Sequence, residues 1–260
     1  MIQDDNQLSV DSQASKGISH WPLLLATAAT LALWYVPYSN YILYPLRLFI
    51  TFLHESGHAL AGAATGLGVR SLHVNPDGSG VTWTGSSPFW DWLTISSGYV
   101  GTAVFGAALI QLLRFGKKIE AGKVTLYILS GFLMTVTLLW AHNPFDNPGK
   151  APDFFTLSVG IALSAGLFAL GRFTPRKVAD FAAAFLAVQC GLNALGDLRI
   201  LLHLTAGGFG DNDAVFMAQR YLLPSTIWAL IWASLSIGIL GTSLWTYVRG
   251  SRTVKTPVLA

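Results

Sequence analysis

Residues His54-Glu55-Ser56-Gly57-His58 carry the residue types and the spacing that metal-assisted hydrolysis needs. On a helix the i, i+4 spacing puts the two imidazoles on one face, about one turn apart, within reach of a single ion. Glu55 then projects beside that ion, where a carboxylate can take a proton from a bound water. The chain has six His and only two Glu, Glu55 and Glu120. A shuffled chain of this composition would give the pattern roughly once in a thousand. The alternative is a pair of core histidines with a chance Glu between them. Histidine and glutamate in apolar, membrane-like sequence are costly and are usually kept for function.

A catalytic zinc site takes three protein ligands and leaves a fourth position for water. Asp197 is the leading candidate for the third ligand. It lies in Gln189-Cys190-Gly191-Leu192-Asn193-Ala194-Leu195-Gly196-Asp197-Leu198, with apolar sequence around it. An unpaired carboxylate there would cost about 2.5–3.5 kcal/mol on insertion scales. Arg199, two residues on, points to a different side of a helix and is a poor partner. Asn193, four residues earlier on the same face, could orient a ligand or bind a substrate carbonyl. Asp211 and Asp213, in Gly210-Asp211-Asn212-Asp213-Ala214, are the reserves; a capping role for a short helix leading to Tyr221 explains them as well. His73, His142 and His203 suit packed, solvated or interfacial positions.

The elements that must position these groups are membrane helices. The chain has 260 residues, 52% hydrophobic and 11% charged, against about 25% charged in soluble domains. Nine Trp, many near the ends of apolar runs, suit an interfacial belt. The net charge of +3 sits in short loops, a pattern of membrane orientation that does not suggest nucleic acid. Cys190 stands alone, so no disulfide can form within the chain.

The expected fold is an all-α polytopic membrane protein of about seven transmembrane helices, six being possible, with a short β-hairpin after the motif helix. The spans are 21–36, 41–66, 92–115, 124–141, 154–171, 178–204 and 222–248, each near the length that crosses about 30 Å apart from the short first one. Residues 1–20 read as a disordered polar tail, 21–248 as a single transmembrane domain and 249–260 as a basic C-terminal tail. Basic residues gather between spans three and four (Arg114, Lys117, Lys118, Lys123), between five and six (Arg172, Arg176, Lys177) and after seven (Arg249, Arg252, Lys255). These regions alternate correctly, which predicts a multi-pass protein of the cell membrane with a cytoplasmic C-terminus.

Residues 69–74 and 81–84 alternate as strands around the turn chemistry of Asn75-Pro76-Asp77-Gly78-Ser79-Gly80. Such a hairpin could offer an edge to an extended peptide, or simply be an ordinary extramembrane hairpin. Small residues, Gly57, Gly62, Gly98 and Gly101 among them, would let the motif helix and the third span approach closely.

The His-Glu-x-Gly-His motif in an early span, the glycine-rich hairpin after it and an Asp in a later span resemble the site-2 protease family of intramembrane zinc metallopeptidases. Within that family the chain looks like the compact bacterial branch without an inserted PDZ domain. The resemblance covers residues 41–221. It implies zinc as cofactor, His54 and His58 as ligands, Glu55 as general base and Asp197 as third ligand. The family's second motif commonly has Asn and Pro ahead of an Asp-Gly pair; here no Pro lies between Asn193 and Asp197, and Leu198 follows the Asp. The implied activity is hydrolysis of a peptide bond in or near a transmembrane segment of a membrane-protein substrate, as in regulated intramembrane proteolysis. Two other classes fit the residues: a catalytically silent membrane scaffold of the same fold, or a small ion or solute transporter lined by His, Asp and Asn.

Overall fold

The computed structural model describes residues 21–33, 36–114, 120–141, 154–207 and 212–252, without the side chains of residues 40, 193–207 and 250–252. The expected N-terminal tail, residues 253–260 of the C-terminal tail, His142, Asp211 and the side chains of Asn193, Asp197 and His203 lie outside the described residues.

Elements form at every place where the apolar runs predict them. In chain order they are α1 (Trp21–Leu33), α2 (Ser39–Ile42), α3 (Tyr44–Ala64), β1 (Val69–Val74), β2 (Gly80–Thr84), α4 (Asp91–Arg114), α5 (Ala121–Trp140), α6 (Phe154–Phe173), α7 (Arg176–Gly207), α8 (Asp213–Arg220) and α9 (Ser225–Arg252). Among the described residues, four helices are long and apolar enough to cross a membrane: α4, α5, α6 and α9. At 13 residues, α1 is about 20 Å long, short of a bilayer core. α3 has 21 residues, but Arg47, His54, Glu55 and His58 dilute its apolar character.

α4 is the centre of the molecule, in contact with α3, α5, α7, α8 and α9. The small residues read from the sequence lie where α3 and α4 cross. A Cβ on Gly57 would strike the carbonyl of Ser97, and one on Gly101 would rest 3.4 Å from Gly57 Cα. Polar side chains tie the helices together within the apolar core. Gln111 of α4 donates to the Ser243 carbonyl, Ser243 Oγ and Thr246 Oγ1 of α9 at 2.7–2.8 Å, and Gln189 of α7 donates to Thr30 of α1 at 2.6 Å. The Gly122 amide at the start of α5 donates to Asp180 near the start of α7, at 3.0 Å. These contacts, with Gly171 of α6 lying against Tyr127 of α5, group Arg114, Lys123, Arg172, Arg176 and Arg249 at one end of the bundle.

The hairpin fills the connection between α3 and α4. Its strands pair antiparallel, Leu72 opposite Thr82 and Val74 opposite Gly80, with an irregularity between Val69 and Ser71. Gly78 takes a positive φ of 81° in the turn, as the sequence requires there. Asp77 accepts the Ser79 hydroxyl at 2.7 Å and amide at 2.9 Å, which hold its carboxyl below the usual range.

α3 holds the hairpin along much of its length. The Tyr44 hydroxyl donates to the Pro76 carbonyl at 2.7 Å and the Thr51 hydroxyl to the Gly78 carbonyl at 2.8 Å. On the outer flank of β1, Thr156 Oγ1 of α6 accepts from the Val74 amide at 2.9 Å and donates to its carbonyl at 3.1 Å. The Asn75 amide donates to the Ser79 carbonyl at 2.8 Å. From that bonded pair the antiparallel alternation sets the next ones, so the backbone groups of Gly80 and Thr82 face away from β1.

Candidate metal centre

Both motif imidazoles project from α3 toward α4, as the i, i+4 spacing predicts. His58 is buried, and its Nδ1 lies 2.7 Å from the Thr94 carbonyl of α4. A carbonyl only accepts, so this bond places the proton on Nδ1 and leaves Nε2 with a lone pair in the neutral ring. His54 packs edge-on against Tyr99, ring centroids 4.7 Å apart.

The carboxylate that meets these rings belongs to Asp213, the first residue of α8. Its Oδ2 is 3.1 Å from His54 Nε2 and 3.2 Å from His58 Nε2, and the two nitrogens are 3.1 Å apart. The three atoms therefore form a nearly equilateral triangle. Ligands at about 2.0–2.1 Å around a tetrahedral zinc are about 3.3 Å apart, so the triangle is close to the base of such a site. The chemistry agrees with the geometry. One acceptor-only carboxylate and one imidazole lone pair converge with a second imidazole nitrogen, an arrangement that a cation resolves. Among the described residues this is the one group of three or more His, Cys, Asp or Glu that could hold a metal ion.

Gly98 of α4 makes room for the triangle. A Cβ there would run into Nε2 of both His54 and His58 and would lie 2.6 Å from His54 Cε1. On α3, Glu55 is buried beneath the hairpin, where the Thr82 hydroxyl donates to its Oε2 at 2.7 Å. Gly80 lies against the other carboxylate oxygen, and a side chain at 80 would occupy that space.

α8 brings Asp213 to the site. Asn212 caps the helix, its side chain accepting from the Val215 amide at 3.1 Å, so Asp213 has no capping duty. Ala214 and Met217 are buried with Ala229 and Trp232 of α9, which fixes the helix against the bundle. Sequence reasoning placed Asp213 behind Asp197. The structure unites His54, His58 and Asp213, while the side chains of Asp197 and Asn193 fall in the part of α7 outside the description. His73 sits on β1, paired with Ser71 at 3.0 Å, apart from this group.

The family described as Peptidase M50B-like matches residues 23–243. The chain belongs to that family. The M50B-like match spans every element from α1 to most of α9, agrees with the site-2 protease resemblance of the motif and places the chain in a family of membrane metallopeptidases. No curated protein and no solved structure matches it.

Proposed function

We propose that the protein is an intramembrane zinc protease that hydrolyses a peptide bond in or near a transmembrane segment of a membrane-protein substrate. The observation that carries this reading is the convergence of His54 Nε2, His58 Nε2 and Asp213 Oδ2 on one point, with Glu55 on the same helix. We assign these three residues as the zinc ligands and Glu55 as the general base. A zinc ion held there would lower the pKa of a water toward neutrality and polarise a carbonyl.

Glu55 takes the proton of the attacking water and returns it to the departing amine, so the peptide bond gains one water across its two halves. Thr82 holds Oε2 in place, and the bare Gly80 leaves room for the Glu55 carboxylate, which a Cβ there would strike. The Thr94 carbonyl fixes the His58 ring in one tautomer and orientation.

Transmembrane helices hide their amides in internal hydrogen bonds, so the substrate must unwind locally to be cut. The outer edge of β2, with the backbone groups of Gly80 and Thr82, is our candidate for holding the unwound strand by β-addition, directly above the base. The basic ends of α4, α6 and α9 support a cytoplasmic C-terminus. Convergence of the three groups on one point, and not their dispersal along a path, favours a metal centre over a transporter.

The test is metal analysis of detergent-purified protein together with a comparison of membrane-protein fragments in cells expressing wild type or Glu55→Gln. The reading expects about one zinc per chain in both proteins and fragments only with wild type. Fragments that persist with Glu55→Gln would refute the base assignment, and a folded wild type without metal would refute the enzyme.

A further inference from the structure

Asp213 is useful as a ligand only if α8 holds its carboxylate in place, and α8 is a helix of 8 residues. Isolated helices of that length are not stable, so its position comes from what it touches. Two anchors stand out. Ala214 and Met217 pack into the apolar cluster against α9. At the far end, Arg220 forms an ion pair with Asp91, the first residue of α4.

The spacing of the second anchor matches the site. Asp213 and Arg220 are seven residues apart, which puts them on one face of α8 and about 10 Å apart along its axis. Asp91 and Gly98 are also seven residues apart, on one face of α4. Gly98 faces the His54 and His58 nitrogens that Asp213 also meets, and Asp91 meets Arg220. The two helices thus run antiparallel as equal two-turn rulers, with the metal centre at one end and the ion pair at the other.

Asp91 is nearly fully buried. Both its carboxylate oxygens have partners besides Arg220, the Ser86 hydroxyl and the Ser87 amide, each at 2.9 Å. The pair with Arg220 is additional, and it is joined by Tyr221. The Tyr221 hydroxyl donates to the Pro88 carbonyl at 2.9 Å and accepts the Trp92 amide at 3.0 Å, so two successive residues of the α8 end grip the α4 start.

Building on the metal site proposed above, we infer that Arg220 and Asp91 are positioning residues that set the register of α8 on α4 and so hold the Asp213 carboxylate at the metal. An exposed ion pair would do little, but here one partner is buried and the pair sets the position of a ligand.

The experiment measures zinc affinity of the metal-stripped full chain in detergent by competition with a chromophoric chelator, and the absorption spectrum of the cobalt-loaded protein. Arg220→Ala is expected to weaken zinc binding on the order of ten- to a hundredfold, with partial recovery in Arg220→Lys. Its cobalt spectrum is expected to move toward that of Asp213→Ala. In the Asp213→Ala background, Arg220→Ala is expected to cause no further loss, because the ligand it positions is already gone. Asp91→Asn keeps one acceptor oxygen for the Ser87 amide, puts an NH2 that Ser86 Oγ can accept from in place of the other, and serves as the milder variant should Arg220→Ala not fold. Wild-type affinity in both Arg220→Ala and Asp91→Asn would overturn the inference. So would an equal loss with and without Asp213, which marks a role in general stability. A folded wild type that binds no metal would instead overturn the metal site on which the inference rests.

Discussion

Gly98→Ala adds one methyl group at the point where α4 faces both imidazoles. That carbon would lie 2.6 Å from His54 Cε1 and nearer still to the two Nε2 atoms, where ordinary contact begins at 3.4 Å. Relief requires a movement of about 0.8 Å or more, while zinc–ligand distances tolerate only about 0.2 Å. At least one imidazole must therefore leave its ligand position. The expected loss in zinc affinity is about a hundredfold or more, comparable with about 3 kcal/mol of overpacking.

Fold stability should fall by less, about 2 kcal/mol, because Ala is favoured over Gly by about 1 kcal/mol in a helix and offsets part of that cost. Gly101→Ala is the matched control. It lies on the same helix, and its added carbon makes an ordinary 3.4 Å contact with Gly57 Cα. The assay is zinc titration of both metal-stripped variants, with helix content followed in parallel. Gly98→Ala and Gly101→Ala binding zinc equally tightly would refute the convergence of the two imidazoles beside Gly98.

Three further outcomes are expected. Asp213→Ala should purify folded with greatly reduced zinc, read by elemental analysis, as should His58→Ala. Glu55→Gln should retain about one zinc per chain yet yield no cleavage fragments, since it spares the ligands and removes the base. Thr82→Val keeps the shape of the side chain and removes the donor to Glu55. Hydrogen bonds to charged groups contribute about 1.5–3 kcal/mol, so cleavage should slow by about tenfold or more, with metal content unchanged.

The helical scaffold and the hairpin were legible because their signals are local. Apolar runs set the helices, and Asn75 to Gly80 set the turn. The histidine pair was legible for the same reason, since one helix fixes both rings. The approach of Asp213 to that pair was not, because it depends on the packing of α8. In sequence, Asp213 sits in a polar glycine-containing stretch where water would satisfy it, and Asp197 looks costlier without a metal. What sequence does not show is that Met217 and Ala214 bury α8 against α9 and carry that polar stretch back to α3. One signal was present: Asn212 is the better cap, which leaves Asp213 without a local role. The support of Glu55 by Thr82 joins residues 27 positions apart, and only the docking of the hairpin on α3 reveals it.

Thr156 has a consequence for the hairpin as a whole. By bonding both the amide and the carbonyl of Val74, its single hydroxyl stands in for a third strand. Exposed sheet edges recruit other chains, and unsatisfied backbone groups are expensive in a bilayer. With the outward groups of Val74 taken up from within the bundle, the edge at this level of the sheet that faces away from β1 is that of β2. A chain that lengthens the sheet at this level is thereby directed to the side that carries Thr82 and Glu55, and two copies of the protein cannot join their sheets through β1 at Val74.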